Sequence, residues 1–292
     1  MTLSILIPTY NYNARALVEA LYQRMQRENI DGEIIVGDDA STCETEWYAE
    51  VESLPCVHLI HAQQNMGRAY MCNLLASNAQ GKWLLIVDAD AAVPEEFSLS
   101  RYLDVSDVEA VVCGGLYHPS INPHPEATLR YKYERAADKK RSARERMRHP
   151  HRQLSTFNLL VRRDVFMEIR FDERCTEYGY EDALFGIQLG NHGIPILHID
   201  NPLVHTGLDS NAEFLKKTET ALHTLQRIAH IMPRDFGLLA AVHQLQRWHL
   251  TWVIRFFYRL FRKPIRANLL SQHPLLPLFQ FYKLGYYVCI QR

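Results

Sequence analysis

Four short apolar runs, each ending in polar residues and separated by helix-length segments, constrain this chain more than any other feature. Leu3–Pro8, Glu33–Gly37, Val57–His61 and Trp83–Val87 are five or six residues long and nearly continuous in apolar character. Strands buried on both faces read this way, as in a parallel sheet. Between the first two, Asn13–Glu28 places Leu17, Val18, Leu21 and Met25 on one helical stripe, and Gly67–Ala79 reads as a helix before the fourth run. This alternation at βαβ spacing predicts a Rossmann-like α/β fold, a mostly parallel sheet with helices on both faces. Ala110–Gly115, Leu159–Arg162 and Pro195–Ile199 read as further strands, with a helix over Asp182–Asn191. Tyr131–Arg148 reads as a charged helix or a mobile loop, and from about Ala212 the pattern turns helical.

In such sheets ligands collect beyond the carboxyl ends of the strands. The chain places Thr9-Tyr10-Asn11, Asp38-Asp39, Asn65 with Gly67, and Asp88-Ala89-Asp90 there. Asp88 and Asp90, two residues apart at the mouth of a buried strand, form a clamp of hard oxygen ligands suited to Mg²⁺ or Mn²⁺. A cation of that kind neutralises a diphosphate.

A net charge of −1 hides a strong asymmetry. Residues 227–292 hold ten Lys/Arg and one acid, Asp235; residues 130–152 hold ten against Glu134, Asp138 and Glu145. The rest of the chain is acidic, so the basic segments either fold onto that body or face an anionic surface. On a single helix over Leu238–Arg262, Arg247, Arg255, Arg259 and Arg262 fall on one side. Leu239, Val242, Leu250, Val253, Phe257 and Leu260 fall broadly opposite, with Trp248 and Trp252 at the flank. That pattern suits a helix lying on an anionic bilayer, or one packed on the rest of the chain or a partner subunit. No stretch is long enough to span a bilayer. Leu3–Pro8 is too short for a signal peptide and lacks a basic leader, and the six cysteines show no metal-like spacing. A cytosolic protein with reduced thiols is therefore expected. No nucleic-acid reader motif is present, and nucleic-acid binding is not expected.

Ile7-Pro8-Thr9-Tyr10-Asn11, Gly37-Asp38-Asp39-Ala40-Ser41, Gln64-Asn65-Met66-Gly67, Val87-Asp88-Ala89-Asp90 and Tyr180-Glu181-Asp182 occur in order over roughly residues 1–210. Together they resemble family-2 glycosyltransferases of the GT-A fold. Phe171-Asp-Glu-Arg174 through Tyr178-Gly-Tyr-Glu-Asp182 is similar to the C-terminal half of galactosyltransferase-type enzymes. The resemblance implies a metal-dependent, inverting transfer of a sugar from a nucleotide-diphosphate donor, UDP-sugar favoured, to a hydroxyl of a glycan or lipid-linked acceptor.

Residue by residue, it implies that Asp90 binds the metal, while Asp88 contacts the ribose or the metal's water shell. His205 follows a short strand and completes the metal site; imidazole beside carboxylate suits Mn²⁺ more than Mg²⁺. Asp39 would pair with a base N–H, and Pro8, Thr9 and Tyr10 would wall the base pocket. Asn65, Gly67, Arg68 and Ala89 line the donor site, and Asn158 holds donor or acceptor sugar or else serves as a turn residue. Asp182 would be the general base and Glu181 would hold the acceptor; the alternative is that both are first-turn acids favoured by the helix dipole. Two positions depart from the pattern. Cys72 stands where an Arg is usual, with Arg68 one turn earlier as the substitute, and Ala40 stands where Gly is usual.

The expected organisation is a GT-A catalytic domain over 1–211, comprising a nucleotide-binding half (1–115) and an acceptor-binding half (116–211) with a basic loop at 130–152. A helical, basic C-terminal extension over 212–292 would follow, meeting an anionic membrane surface through 238–292. The enzyme would then be peripheral on the cytoplasmic face of a membrane. The rival readings are a nucleotidyltransferase on a similar sheet, which would want a Gly-rich basic loop after the first strand, and an inactive membrane-docking subunit. The intact Asp88, Asp90, Glu181 and Asp182 argue against the latter.

Overall fold

A computed structural model describes residues 1–106, 109–175 and 177–291; Arg292, counted among the basic residues above, lies outside them. The described chain forms two compact units, Met1–Pro119 with Asp138–Thr176 and Glu181–Gly207, and Ser120–Ala137 with Glu177–Tyr180 and Leu208–Arg292.

The first unit is built on a seven-stranded sheet ordered β3-β2-β1-β4-β8-β6-β9. Its strands are β1 (Leu3–Thr9), β2 (Gly32–Asp38), β3 (Val57–His61), β4 (Trp83–Val87), β6 (Val111–Cys113), β8 (Asn158–Arg162) and β9 (Leu197–His198). The first four, the apolar runs of the sequence, pair in parallel, with Ile5 opposite Ile34 and Leu85. β8 runs antiparallel to both neighbours, and β6 and β9 are parallel.

Alternate residues of each strand enter opposite cores. Ile5, Ile7, Ile34 and Val36 pack with Leu17, Val18, Leu21 and Met25 of α1 (Arg15–Arg27). Leu6, Ile35, Leu84 and Ile86 pack with Met71, Cys72 and Leu75 of α3 (Arg68–Asn78). This two-sided burial explains why the runs are continuously apolar. Short helices α2 (Tyr48–Glu52), α4 (Ser100–Ser106) and α7 (Arg163–Ile169), together with α8 (Glu181–Asn191), complete the layers. A three-stranded sheet is formed by β5 (Ala91–Ala92), which directly follows the Asp-X-Asp segment, with β10 (Leu203–His205) at its centre and β7 (Leu116–Tyr117) on the other edge. The segment read as helix or loop over 131–148 resolves into α5 (Thr128–Asp138) and the short α6 (Ala143–Arg146).

The second unit is helical. α9 (Asn211–Ile228) opens with a capping box, Ser210 and Glu213 each satisfying the other's backbone N–H. Leu129, Phe214, Leu215, Tyr258, Ile265, Leu269, Phe279 and Tyr282 form its core. The stretch read as one helix over 238–262 is two, α10 (Gly237–Arg247) and α11 (Thr251–Leu269), followed by α12 (Leu276–Ile290). The break falls at His249, which takes a left-handed φ of 56° while the amides of Trp248, His249 and Leu250 close back onto the last turn of α10. Helical periodicity continues across this point in the sequence, so the wheel alone does not reveal it. No described helix is long and apolar enough to cross a membrane.

Candidate active site

The parallel strands deliver their carboxyl ends to one rim, and the loops there are tied together by acids. Asp38 accepts from the Ser41 amide (2.9 Å) and meets His61 Nδ1 (3.1 Å). Asp39, buried, accepts from the amides of Met66 and Gly67, both at 2.8 Å, one oxygen to each. Its carboxylate therefore anchors the loop that starts α3, where Gly67 takes a φ of 89° that a side chain would resist. Pro8 and Thr9 are buried at the end of β1, and the Thr9 hydroxyl donates to the Tyr12 carbonyl (3.0 Å). Tyr10 leaves its ring 48% exposed, and Asn65 is exposed with its amide on the Asp39 carbonyl (3.3 Å). Ala40 adopts φ 60°, the left-handed region. The usual Gly therefore has a conformational reason here, and this chain meets the same backbone with a Cβ.

Arg68, at the first position of α3, faces three acids from two parts of the chain, Asp88 and the adjacent Glu181 and Asp182. Its guanidinium binds Asp88 through Nε (3.0 Å) and Nη2, and Nη2 also donates to the Thr156 carbonyl (3.2 Å). Nη1 lies 3.6 Å from Asp182 and 3.9 Å from Glu181, buried and without a hydrogen-bond partner. Asp182 is held from its other side by Thr156, whose amide (3.1 Å) and hydroxyl donate to its two oxygens. Burial raises Asp88 and Glu181 above the ordinary carboxylate range; neighbouring acids add to this and Arg68 opposes it. One guanidinium thus faces more carboxylate than it can neutralise. Cys72, where the family often has Arg, is buried among apolar groups with its thiol pushed up to about 12, mainly by desolvation. It is a core residue, and the cation at this rim is Arg68, one turn earlier.

Asp90 is positioned by the small sheet. β10 pairs antiparallel with β5, setting His205 opposite Ala91, and His205 Nε2 lies 3.0 Å from Asp90 Oδ2. The Asp90 carbonyl accepts from the amide (3.0 Å) and hydroxyl (2.8 Å) of Thr206. Among the described residues no group of three His, Cys, Asp or Glu side chains forms a ready-made metal site. The donor chemistry of Asp90 and His205 nevertheless fits a cation shared between them, since a carboxylate and an imidazole at hydrogen-bonding distance offer mixed O and N ligands. Asp88 is turned to Arg68 rather than to that pair. Ala89 between them is half-buried.

Asn158 is committed elsewhere. It is buried, donates to the carbonyls of Gly115 (3.0 Å) and Asn201 (2.9 Å), and accepts from the Tyr102 hydroxyl. Its amide is spent on internal backbone rather than presented at the rim. His198 is likewise internal, accepting from Arg146 (2.9 Å), with burial pushing it down to about 4, so its ring is neutral. Three residues with no motif around them matter as much as the expected ones: Thr156 against Asp182, His118 against His205, and Gly207 against Asp90.

A Rossmann-like sheet with acids at its strand ends and an Asp-X-Asp followed by a short sheet defines the GT-A class. The sequence profile of glycosyl transferase family 2 matches residues 4–170, and the chain belongs to that family. The curated glycosyltransferase GlyG of Streptococcus pneumoniae is 29% identical over 118 residues, 40% of this chain and 39% of GlyG. In structure the chain is similar to TarS of S. aureus (TM-score 0.54, 20% identity, 81% of this chain and 44% of that one). It is also similar to the mannosyltransferase PcManGT of Pyrobaculum calidifontis, solved with GDP-Man and Mn²⁺ (TM-score 0.58, 14% identity, 98% and 84%). The chain thus spans about two fifths of GlyG and under half of the full TarS chain.

Proposed function

We propose that the protein transfers a sugar from a nucleotide-diphosphate donor to an acceptor hydroxyl with inversion, with UDP as the favoured nucleotide. The observation that carries this reading is the gathering of Asp88, Glu181 and Asp182 around Arg68 at the carboxyl ends of parallel strands. Asp90 and His205 would hold a divalent cation, Mn²⁺ or Mg²⁺, which when bound stabilises charge on the departing diphosphate. Support comes from their pairing at 3.0 Å and from the Mn²⁺ carried by PcManGT.

The chain's own residues do the rest. Tyr10, exposed at the rim, offers a face for the base, and the loop anchored by Asp39 sets the floor beside it. Asp182 is the general base. Thr156 fixes the orientation of its carboxylate, and the acceptor hydroxyl gives up its proton to it as the new bond forms. Glu181, raised by burial, orients the acceptor by hydrogen bonding. Arg68 keeps Asp88 from competing with the acceptor for that position.

The acceptor is a glycan or lipid-linked hydroxyl, presented at the cytoplasmic face of a membrane. Support comes from α11, which turns Tyr258, Ile265 and Leu269 inward but leaves Trp252, Phe256, Leu260 and Phe261 exposed beside Arg259, Arg262 and Lys263. An exposed apolar arc flanked by cations suits an anionic bilayer surface. The six cysteines are free thiols, in keeping with a reducing compartment.

Isothermal titration of UDP, GDP and their sugar conjugates, with Mn²⁺ and then with EDTA, tests the core of this reading. Micromolar binding of one nucleotide that disappears with EDTA is expected. Binding under neither condition would point to a fold retained for docking.

A further inference from the structure

We infer that His118 and Asp138 are positioning residues that fix the His205 ring with Nε2 facing Asp90. This rests on the metal-binding role proposed for Asp90 and His205. The four side chains form a continuous line: Asp90 Oδ2 to His205 Nε2 at 3.0 Å, His205 Nδ1 to His118 Nε2 at 2.9 Å, and His118 Nδ1 to Asp138 Oδ1 at 3.1 Å. Arg141 closes the far end, Nη1 lying 2.9 Å from Asp138 Oδ1 and 3.1 Å from His118 Nδ1. The inner members are buried, His118 at 1% exposure and His205 at 6%, whereas Asp90 reaches the rim with its side chain 26% exposed.

The small sheet generates this line. Parallel pairing of β10 with β7 sets Leu203 opposite Leu116 and Val204 opposite Tyr117, so one more step brings His205 beside His118. On the other edge of β10, His205 stands opposite Ala91, next to Asp90. One strand thus presents the two faces of a single imidazole to two different partners. Phe157 packs edge-on against the ring (5.2 Å, 69°) and His118 does so from its own side (5.0 Å, 71°), which limits rotation.

The chemistry follows from the two nitrogens. An imidazole that gives its Nε2 lone pair to a cation carries its proton on Nδ1, and that N–H must find an acceptor in a buried place. With the cation bound, His118 Nε2, 2.9 Å away, is placed to be that acceptor; His118 Nδ1 then carries its proton toward Asp138, and Arg141 donates to that carboxylate rather than to the ring. Outer partners of this kind typically contribute a factor of roughly 10 to 100 in metal affinity.

Mn²⁺ binding, followed by loss of the free-ion EPR signal in the presence of UDP and, in parallel, GDP, tests the inference. The wild type should bind, and Asp90→Asn should lose binding. His118→Leu should weaken it roughly 10- to 100-fold. His118→Gln, whose amide reaches the place of the imidazole Nε2, should stay within about threefold of wild type. Pulsed EPR of the bound ion should show ¹⁴N modulation from an imidazole in the wild type and in His118→Gln, but not in His118→Leu. A purely structural role for His118 would not remove that signal. If His118→Leu does not fold, Asp138→Asn carries the same expectation of weakened binding. Wild-type affinity and ¹⁴N modulation in a folded His118→Leu would overturn the positioning role and leave the metal site standing. No Mn²⁺ binding by the wild type would remove both.

Discussion

Gly207 leaves open the space that the Asp90 carboxylate fills: a Cβ built on Gly207 would overlap Oδ2 and lie 2.7 Å from Cγ. Thr206, one residue earlier, holds the Asp90 carbonyl through its amide and hydroxyl, so the acid has little room to retreat. Gly207→Ala should therefore displace the carboxylate from His205. Mn²⁺-dependent nucleotide affinity should fall at least tenfold, with a loss of about 1–3 kcal/mol in stability from overpacking. Calorimetric titration beside a thermal melt reads both. Unchanged Mn²⁺-dependent affinity in the folded variant would show that Asp90 is not needed where it stands.

Asp182 and Thr156 should separate binding from chemistry. Asp182→Asn keeps the shape and one acceptor for Thr156 but removes the base, so kcat should fall by about 10²–10⁴ with donor affinity retained. Thr156→Val removes the hydroxyl that orients the carboxylate and should give a smaller fall in kcat. Near-normal turnover in Asp182→Asn would move the role of base to Glu181, and Glu181→Gln would then show the larger loss.

Ala40 gives a stability prediction that leaves the site's charged groups untouched. At φ 60° a side chain costs about 1 kcal/mol that glycine avoids. Ala40→Gly should raise the denaturant midpoint slightly, the gain in the folded state being offset in part by greater freedom in the unfolded chain. A clear loss of stability would mean that the methyl group contributes packing that outweighs the backbone strain.

The sequence carried the sheet more fully than the site. The first four strands were legible because burial on both faces, with Ile5, Leu6 and Ile7 entering alternate cores, makes them continuously apolar; α1 was legible by its buried helical stripe and α3 as a helix-length stretch between two such runs. Asp88, Asp90, Glu181 and Asp182 were legible because short motifs mark them. His118, Thr156 and Gly207 were not, because their roles come from pairings 87, 26 and 117 residues apart. The strands that make the first and last of these pairings, β5, β7 and β10, are only two or three residues long, too short to show a period. Asn158 carried two readings, a sugar-holding residue or one that satisfies backbone groups, and its contacts to the Gly115 and Asn201 carbonyls and the Tyr102 hydroxyl accord with the second.

Glu181 makes stability depend on pH. Burial, with Asp182 adding and Arg68 opposing, pushes its carboxyl up to about 7. A folded-state value above the unfolded one, about 4.3, means that the folded protein binds the proton more tightly. That stabilisation is complete below the unfolded value and is lost as pH rises through the folded one. Without divalent cations, the melting temperature of the wild type should therefore fall between about pH 4 and pH 8 more steeply than that of Glu181→Gln. The two should converge at the acid end. Parallel curves would mean that Glu181 ionises in the folded state as it does in the unfolded one.

The exposed face of α11 gives the test of where the protein docks. Trp252, Phe256 and Leu260, one turn apart in succession, are 67%, 56% and 58% exposed, while Tyr258, Ile265 and Leu269 of the same helix enter the core of the helical unit. Replacing the three exposed residues with Ser therefore leaves that core intact and should change the melting temperature little. It should abolish co-sedimentation with vesicles containing phosphatidylserine. Arg259→Gln, Arg262→Gln and Lys263→Gln should each weaken binding by about 1 kcal/mol, with the effect shrinking as salt is added. The two sets differ in a way that identifies the surface. Loss through the aromatic set alone, indifferent to lipid charge, would mean apolar insertion without electrostatic attraction. Undiminished vesicle binding by both sets would place the membrane contact away from α11.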